Sequence, residues 1–544
     1  MKTIAENAND FADLRTTDGG NCIYVDKTDF FHRLVMAPGK KLFFIARPRR
    51  FGKSLMITTF KYIFEGRREL FRGLKIDKTD YDWKVHPVIH LNFGLCAGGT
   101  YAAFMSEMPA VVKTAITNSG YAYDTSEAPA VNFLNAIEWH FAQGTPSVVL
   151  IDEYDDPVAR ALANPDEAEL IRDELAGFYG KIKDRTHMIR FMMITGVSKF
   201  TKLSVFSALS NLTDISPLPE CAEMLGYTED ELDEYFGEHM AAHAKVMGLS
   251  DEQYRAELKR WYNGYRFSPD KAVTVYNPVS TGLTFAYPRD EFRGTWTQTG
   301  RPSMLMNFIR REGLLAIDYE NGVTARENDF DVSDIRDLRA VAMLYQTGYL
   351  TIKGYEDGRY LLGIPDEEVR RDLLLLVAAQ SAERDETWVG QTVDYLLDGD
   401  FEGFFDGLKS LFAHLPYGEK ERRAHEMNFE RNLKILFWAF GLETVCEDRQ
   451  TDGRADIVVK YRKAIYVFEL KRDGTAADAL GQIREKGYAK PYLADGRPVY
   501  LIGLAFDSQT RQLVDAAWEP STVAALPRPR DGQSRRVRTG PTVI

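Results

Sequence analysis

Four cysteines are all this chain of 544 residues has, and Cys22, Cys96, Cys221 and Cys446 stand far apart with no CxxC pair among them. That spacing supports neither a disulfide framework nor a zinc knuckle, and the expected setting is the reducing cytoplasm. Long apolar runs are missing as well. No eighteen consecutive apolar residues occur, and the stretch from Met1 to Asp10 is polar and carries acids, so neither a membrane span nor a secretory leader is expected. Positive charge is in deficit: 68 Lys and Arg against 80 Asp and Glu leave a formal charge of −12. A surface that coats nucleic acid indiscriminately is thereby disfavoured, and only a placed basic groove would bind it. Histidines are few, at nine. His86 and His90 are four apart with a proline between them and no third ligand near, so they read as core and loop residues, not as a metal site.

What the chain does have is an apolar strand running into a basic turn and then a helix: Phe43-Phe44-Ile45-Ala46, then Arg47-Pro48-Arg49-Arg50-Phe51-Gly52-Lys53-Ser54. Met56, Phe60, Ile63 and Phe64 recur at helical spacing after it, which places Gly52, Lys53 and Ser54 at a helix start. Backbone N–H groups and the positive end of the helix dipole converge there, as in a phosphate cradle. Lys53 fits the lysine that reaches the terminal phosphates of ATP, and Ser54 the hydroxyl that binds Mg²⁺. The full P-loop pattern wants a glycine where this chain has Arg47. A second apolar run, Val148-Val149-Leu150-Ile151, ends on Asp152 and Glu153. Asp152 is expected to hold Mg²⁺ through water, and Glu153 to orient or deprotonate the attacking water. A third, Phe191 to Ile194, ends on Thr195, placed to sense the γ-phosphate between the other two.

The length calls for three or four domains. Helices alternating with apolar strands up to residue 215 predict a parallel sheet covered on both faces. Within that stretch, Tyr24-Val25-Asp26-Lys27-Thr28 is expected to flank the nucleotide base. Residues 216–334 turn to acidic amphipathic helix, as in 229–238 and 251–261, and read as a helical lid. Arg266 within it is weighed as an arginine finger and as a structural arginine, with the structural role preferred. Residues 335–375 follow a helix, strand, turn, strand, helix order that suggests a winged-helix-like module. Residues 376–424 read as a helical linker, 425–520 as a second α/β domain, and 521–544 as a basic disordered tail.

The second chemical site lies in Asp456-Ile457-Val458-Val459-Lys460 and Ala464-Ile465-Tyr466-Val467-Phe468-Glu469-Leu470-Lys471, two strands joined by a tight turn. If Lys460 pairs with Ile465, counting outward puts Asp456 opposite Glu469, and alternation puts Lys471 on the same face as Glu469. Facing carboxylates about 5 Å apart repel unless a cation lies between them. Mg²⁺ suits two carboxylates with waters retained for chemistry. Lys471 would then position or activate the attacking water. Glu430, on an upstream helix, and Glu447 are candidates to complete the metal shell.

On these residues the sequence resembles bacterial proteins that join an AAA-ATPase-like domain to a C-terminal PD-(D/E)xK nuclease-superfamily domain. The likeness also takes in Tyr24 to Thr28, Thr195-Gly196-Val197-Ser198, Asn263-Gly264-Tyr265-Arg266-Phe267, Thr299 to Pro302, and Gln482 to Tyr488. That family has Arg-Pro-Arg-Arg-Phe-Gly-Lys in its cradle, so Arg47 is a family trait. The resemblance implies ATP held by Gly52, Lys53 and Ser54, Mg²⁺ at Asp152, and a nuclease-like centre at Asp456, Glu469 and Lys471. Nucleic acid, DNA named first, is the implied substrate; self-association is left open. The competing reading is a nucleotide-switched binding protein whose nuclease fold does not cut.

Overall fold

The computed structural model describes residues 1–5, 9–198, 209, 211–295, 322–330, 336, 339–381, 384–413, 425–446, 455–510 and 512–521. They form two compact units, Met1–Leu373 and Leu374–Ile544.

In the first unit, β1 (Leu42–Ala46), β2 (Val88–Asn92), β3 (Ser147–Asp152), β4 (Ile189–Gly196) and β5 (Thr213–Asp214) make one parallel sheet in the order β2-β3-β4-β1-β5. Every residue of β1 and β3 is buried, as a sheet covered on both faces requires. The helix Lys53–Phe64 lays Phe60 and Phe64 against Phe191 of β4, with ring centroids 5.0 and 5.1 Å apart. Because the strands are parallel and β4 lies between β1 and β3, the chain leaves all three at one edge of the sheet, where ligands bind in open α/β folds.

The helices Glu229–Met247 and Asp251–Tyr262 each begin with a capping box, Thr228 with Glu231 and Ser250 with Gln253, and acids in their first turns oppose the helix dipole. They share a core of Phe236, Tyr254, Trp261, Tyr262, Phe285 and Phe292, joined by Ile23 and Val25 from the N-terminal stretch. Residues 216–334 are thus helical only in part. A short antiparallel pair, β6 (Asn263–Tyr265) and β7 (Val275–Tyr276), interrupts them, and β8 (Val323–Arg326) joins another sheet. The hairpin expected at 349–362 is present as β9 (Thr351–Glu356) and β10 (Arg359–Gly363). Its two turn residues, Asp357 and Gly358, have φ of 51° and 71°, the left-handed values a two-residue hairpin turn needs. It is no free wing, since β8 pairs with β10 to give a three-stranded sheet β8-β10-β9.

The second unit carries β11 (Glu443–Cys446), β12 (Ile457–Tyr461), β13 (Ala464–Arg472), β14 (Val499–Phe506) and β15 (Leu513–Pro520), side by side in chain order. The helix Ala476–Lys486 crosses over between the parallel pair β13 and β14; the other pairs are antiparallel. That helix sits so close that a Cβ on Gly503 would lie 2.4 Å from the Ala476 carbonyl oxygen. The edge strand β15 was not anticipated. Residues read as a linker also contribute to this core: in the helix Phe401–Ala413, Phe401 stacks on Trp518 at 4.1 Å and Phe404 packs near Phe437 and Phe468. An apolar helix face of that kind needs a partner to bury it. Among the described residues, no helix is long and apolar enough to cross a membrane. The tail expected from 521 onward, the Thr299–Pro302 motif and Glu447 lie outside the described residues.

Candidate functional site

The basic turn after β1 bends through two left-handed residues, Arg50 at φ 67° and Gly52 at φ 80°, before the helix begins at Lys53. Lys53 is buried, and its ammonium donates to the carbonyls of Arg47 (3.0 Å) and Pro48 (2.8 Å). Burial pulls its pKa down, while Glu153, Asp152 and Asp155 hold it up. Gly52, Lys53 and Ser54 line a cavity of about 460 Å³ together with Arg49, Arg50, Glu153, Asp156 and Arg160, a size typical of small-molecule sites. Ile4, Ile23, Tyr227, Pro278 and Leu283 close its apolar side. None of Tyr24 to Thr28 lines this cavity. Asp26 instead accepts from the Thr28 N–H and hydroxyl and from the Lys75 N–H, and Lys27 pairs with Glu231 at 2.6 Å.

Asp152 is buried at the end of β3, where the Thr195 hydroxyl of β4 donates to it at 2.5 Å. Thr195 pairs with Ile45 of β1 across the sheet, so it lies between the cradle strand and the acidic strand, as its position in the sequence suggested. Glu153 adopts φ 53°, a left-handed turn that swings its carboxylate out of the sheet. Burial raises its pKa first, then Asp156 and Asp152, against Lys53. Its Oε2 lies where a side chain on Gly94 would go: a Cβ there would be 1.8 Å away. Asp155, also buried, accepts from the Ser198 N–H (2.7 Å) and hydroxyl and from the Val197 N–H (3.2 Å). The acid that follows β3 by three residues thus anchors the loop that follows β4.

Arg47 stands where a glycine was wanted because it fastens the cradle from behind. Its guanidinium is buried, donates to the carbonyls of Ala46 (2.9 Å), Ser216 (2.9 Å) and Cys221 (3.2 Å), and lies 4.1 Å from the Phe267 ring centroid. Burial lowers its pKa to about 10. Arg47→Gly, which completes the P-loop pattern on paper, should therefore destabilise the protein by about 3–5 kcal/mol, because it strands buried carbonyls and opens a void. Urea unfolding measures this; an unchanged midpoint would contradict it. Arg266 is structural, as preferred: it donates to the carbonyls of Ser268 (2.9 Å) and Pro269 (2.5 Å) in its own loop. Arg50 donates to the Thr295 carbonyl (2.5 Å), and the Thr295 N–H donates to Glu368 (2.6 Å), a buried residue in the first turn of the helix Glu367–Ser381.

In the second unit, Lys460 pairs with Ile465 and Ile457 with Phe468, the register that sets Asp456 opposite Glu469. Glu469 is 3% exposed. Its Oε1 accepts from the Lys471 ammonium at 3.2 Å, while its Oε2 is buried with no hydrogen-bond partner. Burial, and then the Asp456 charge, push its pKa up to about 7. Asp456 accepts from the Leu470 N–H at 2.7 Å. Lys471 also donates to Gln482 on the helix Ala476–Lys486, and Gln482 donates to the Tyr488 hydroxyl at 3.2 Å. The family likeness took in Gln482 to Tyr488 and assigned Gln482 no role. Glu430 does not join the pair, being bound to Lys434 at 3.0 Å. Among the described residues, no third His, Cys, Asp or Glu completes a cluster. Two carboxylates, one with an orphaned buried oxygen, fit a divalent cation that keeps most of its waters.

Comparison with known proteins finds a family for each of the two α/β regions. Residues 7–206 match the family model described as predicted AAA-ATPase, and residues 425–516 match the PD-(D/E)XK nuclease superfamily. A protein of Azotobacter chroococcum mcd 1, described as "Uncharacterized protein in vnfD 5'region", is 34% identical over 523 residues, which cover 93% of this chain and 96% of that protein. The chain belongs to the predicted AAA-ATPases with a C-terminal PD-(D/E)XK domain. No solved structure matches it. Membership accounts for the two separate five-stranded sheets, one in each unit.

Proposed function

We propose that this AAA-ATPase family member is an ATP-binding, Mg²⁺-dependent nuclease, in which the AAA-like domain regulates a PD-(D/E)xK phosphodiesterase acting on nucleic acid, DNA first. The observation that carries the reading is the buried Glu469 Oε2 without a partner, facing Asp456 beside the Lys471 ammonium. An isolated buried carboxylate oxygen is costly, and a cation is the partner that compensates it. Asp456 and Glu469 would hold Mg²⁺, which when bound supplies charge neutralisation at the scissile phosphate and a more acidic water. Lys471, kept in place by Gln482, positions the attacking water and offsets charge on the phosphate. In the first unit, Lys53 and Ser54 would hold the phosphates of ATP, with Asp152 on the accompanying Mg²⁺, Thr195 sensing the γ-phosphate and Glu153 taking the water proton. Regulation finds support in the Arg50, Thr295 and Glu368 chain. It ties the cradle to a helix that begins in the first unit and ends in the second. A cytoplasmic setting suits Cys22, Cys96 and Cys221, all buried free thiols.

A second reading, a nucleotide-switched binding protein with a non-cleaving nuclease fold, is favoured by one fact: Glu430 is paired with Lys434, so that among the described residues two carboxylates stand at the site. Incubation of plasmid, linear DNA and RNA with Mg²⁺ or Mn²⁺, with and without ATP, separates the two. The nuclease reading expects cleavage that disappears in Asp456→Ala. Intact nucleic acid in every arm, from protein that binds ATP normally, would leave the second reading.

A further inference from the structure

Arg49, from the cradle turn, and Arg160, from the helix Asp156–Ala161, converge on one carboxylate. Arg49 reaches Asp156 Oδ1 at 3.2 Å and Arg160 reaches Oδ2 at 2.5 Å. Asp156 is 8% exposed, whereas the two arginines are 50% and 41% exposed, and both line the same cavity as Lys53 and Glu153. A single carboxylate needs one cation. A guanidinium has five N–H donors in a fixed fork, so each arginine keeps donors for a further anion.

The charges around the cavity say which anion. Asp152, Glu153, Asp155 and Asp156 crowd the end of β3, and by themselves they would repel a triphosphate. Lys53 is the first counter-charge. Arg50 is committed to the Thr295 carbonyl, Arg47 is buried behind the cradle and Arg266 is folded into its own loop. Among the described residues that line the cavity, Arg49 and Arg160 are the guanidiniums that remain beside Glu153, the group assigned to the attacking water.

Resting on the ATPase reading above, we propose that Arg49 and Arg160 are catalytic residues that bind the γ-phosphate of ATP, supplied by the same chain that holds the nucleotide. In the step they serve, a water oxygen forms a bond to the γ-phosphorus while the bond from that phosphorus to the bridging oxygen breaks. The electron pair leaves on ADP, and the water proton passes to the Glu153 carboxylate. Charge gathers on the γ-phosphoryl and bridging oxygens, where guanidiniums held in place by Asp156 stabilise it more than they stabilise bound ATP.

The test uses the full-length protein, with phosphate release and calorimetric binding of ATP and ADP measured side by side. Arg49→Ala and Arg160→Ala should each lower kcat by about 10²–10³-fold. ADP, which lacks the γ-phosphate, should bind within about threefold of wild type. Arg→Lys variants should recover part of the rate, because an ammonium keeps the charge and loses the fork. They also carry the test if an alanine variant fails to fold. Specific activity should stay constant on dilution. Near wild-type turnover by both alanine variants would overturn the assignment. So would activity that falls on dilution and returns on adding Lys53→Ala protein, because the arginine would then come from a second copy. Wild-type protein that binds no ATP would sink the ATPase reading itself, and this one with it.

Discussion

Glu469→Gln should abolish nucleic-acid cleavage and, in the same protein, raise the stability of the metal-free fold at neutral and alkaline pH. The carboxyl titrates near 4.5 in an unfolded chain and is pushed up to about 7 here by burial and by Asp456. A group that holds its proton more tightly when folded favours folding most below the lower value, and that contribution is lost as pH climbs through the higher one. By pH 8 the ionised carboxylate, buried with only its Oε1 paired, costs up to about 3 kcal/mol. Glutamine does not ionise, so the variant should melt higher than wild type at pH 8 and close to it at pH 5. A divalent cation reverses the sign by holding the carboxylate ionised. Without nucleotide, Mn²⁺ should therefore raise the wild-type melting temperature more at pH 8 than at pH 6, and do little for Glu469→Gln or Asp456→Asn. Cleavage should fall by about 10³-fold in either variant. A Glu469→Gln protein less stable than wild type at pH 8, or equally stabilised by Mn²⁺, would remove the metal site.

Glu153→Gln should lower ATP turnover by about 10²–10⁴-fold, the usual worth of a positioned general base, while ATP binding survives because Lys53 and the cradle are untouched. The sharper variant is Gly94→Ala. Its methyl group would occupy the place of Glu153 Oε2, 1.8 Å from it, and the carboxylate, being the free end of a flexible side chain, would move aside. The fold should keep its melting temperature and its ATP affinity, and turnover should drop toward that of Glu153→Gln. Lys53→Ala, by contrast, should lose ATP binding outright, since Glu153, Asp152 and Asp155 are left without the ammonium they face. Full turnover by Gly94→Ala would mean that the water proton goes elsewhere.

Much of this architecture was written locally. The apolar runs of β1, β3 and β4 declare strands buried on both faces, and Gly52 and Lys53 declare where a helix must start. The β12–β13 hairpin is the clearest case, because a two-residue turn fixes the register and a period of two carries it outward to Asp456 and Glu469. Where the reading fell short, the cause was contact between distant segments. Residues 376–424 looked like a linker because the Trp518 that stacks on Phe401 comes more than a hundred residues later. Arg47 looked like a departure from a motif because its acceptors, Ser216 and Cys221, lie beyond the whole sheet. Gly94 and Arg160 carry no signal in one dimension at all.

The order of residues alone therefore determined that two α/β cores exist, that the first ends an apolar strand on acids while the second faces two acids across a hairpin, and that a lysine belongs to each. Periodicity and turn chemistry act over a few residues and need no partner. Only the folded chain decided what surrounds those acids: Gln482 on Lys471, two arginines on Asp156, an empty place at Gly94 filled by Glu153. Side chains meet there because sheets and helices bring remote segments within hydrogen-bonding distance, and such meetings leave no mark on local spacing.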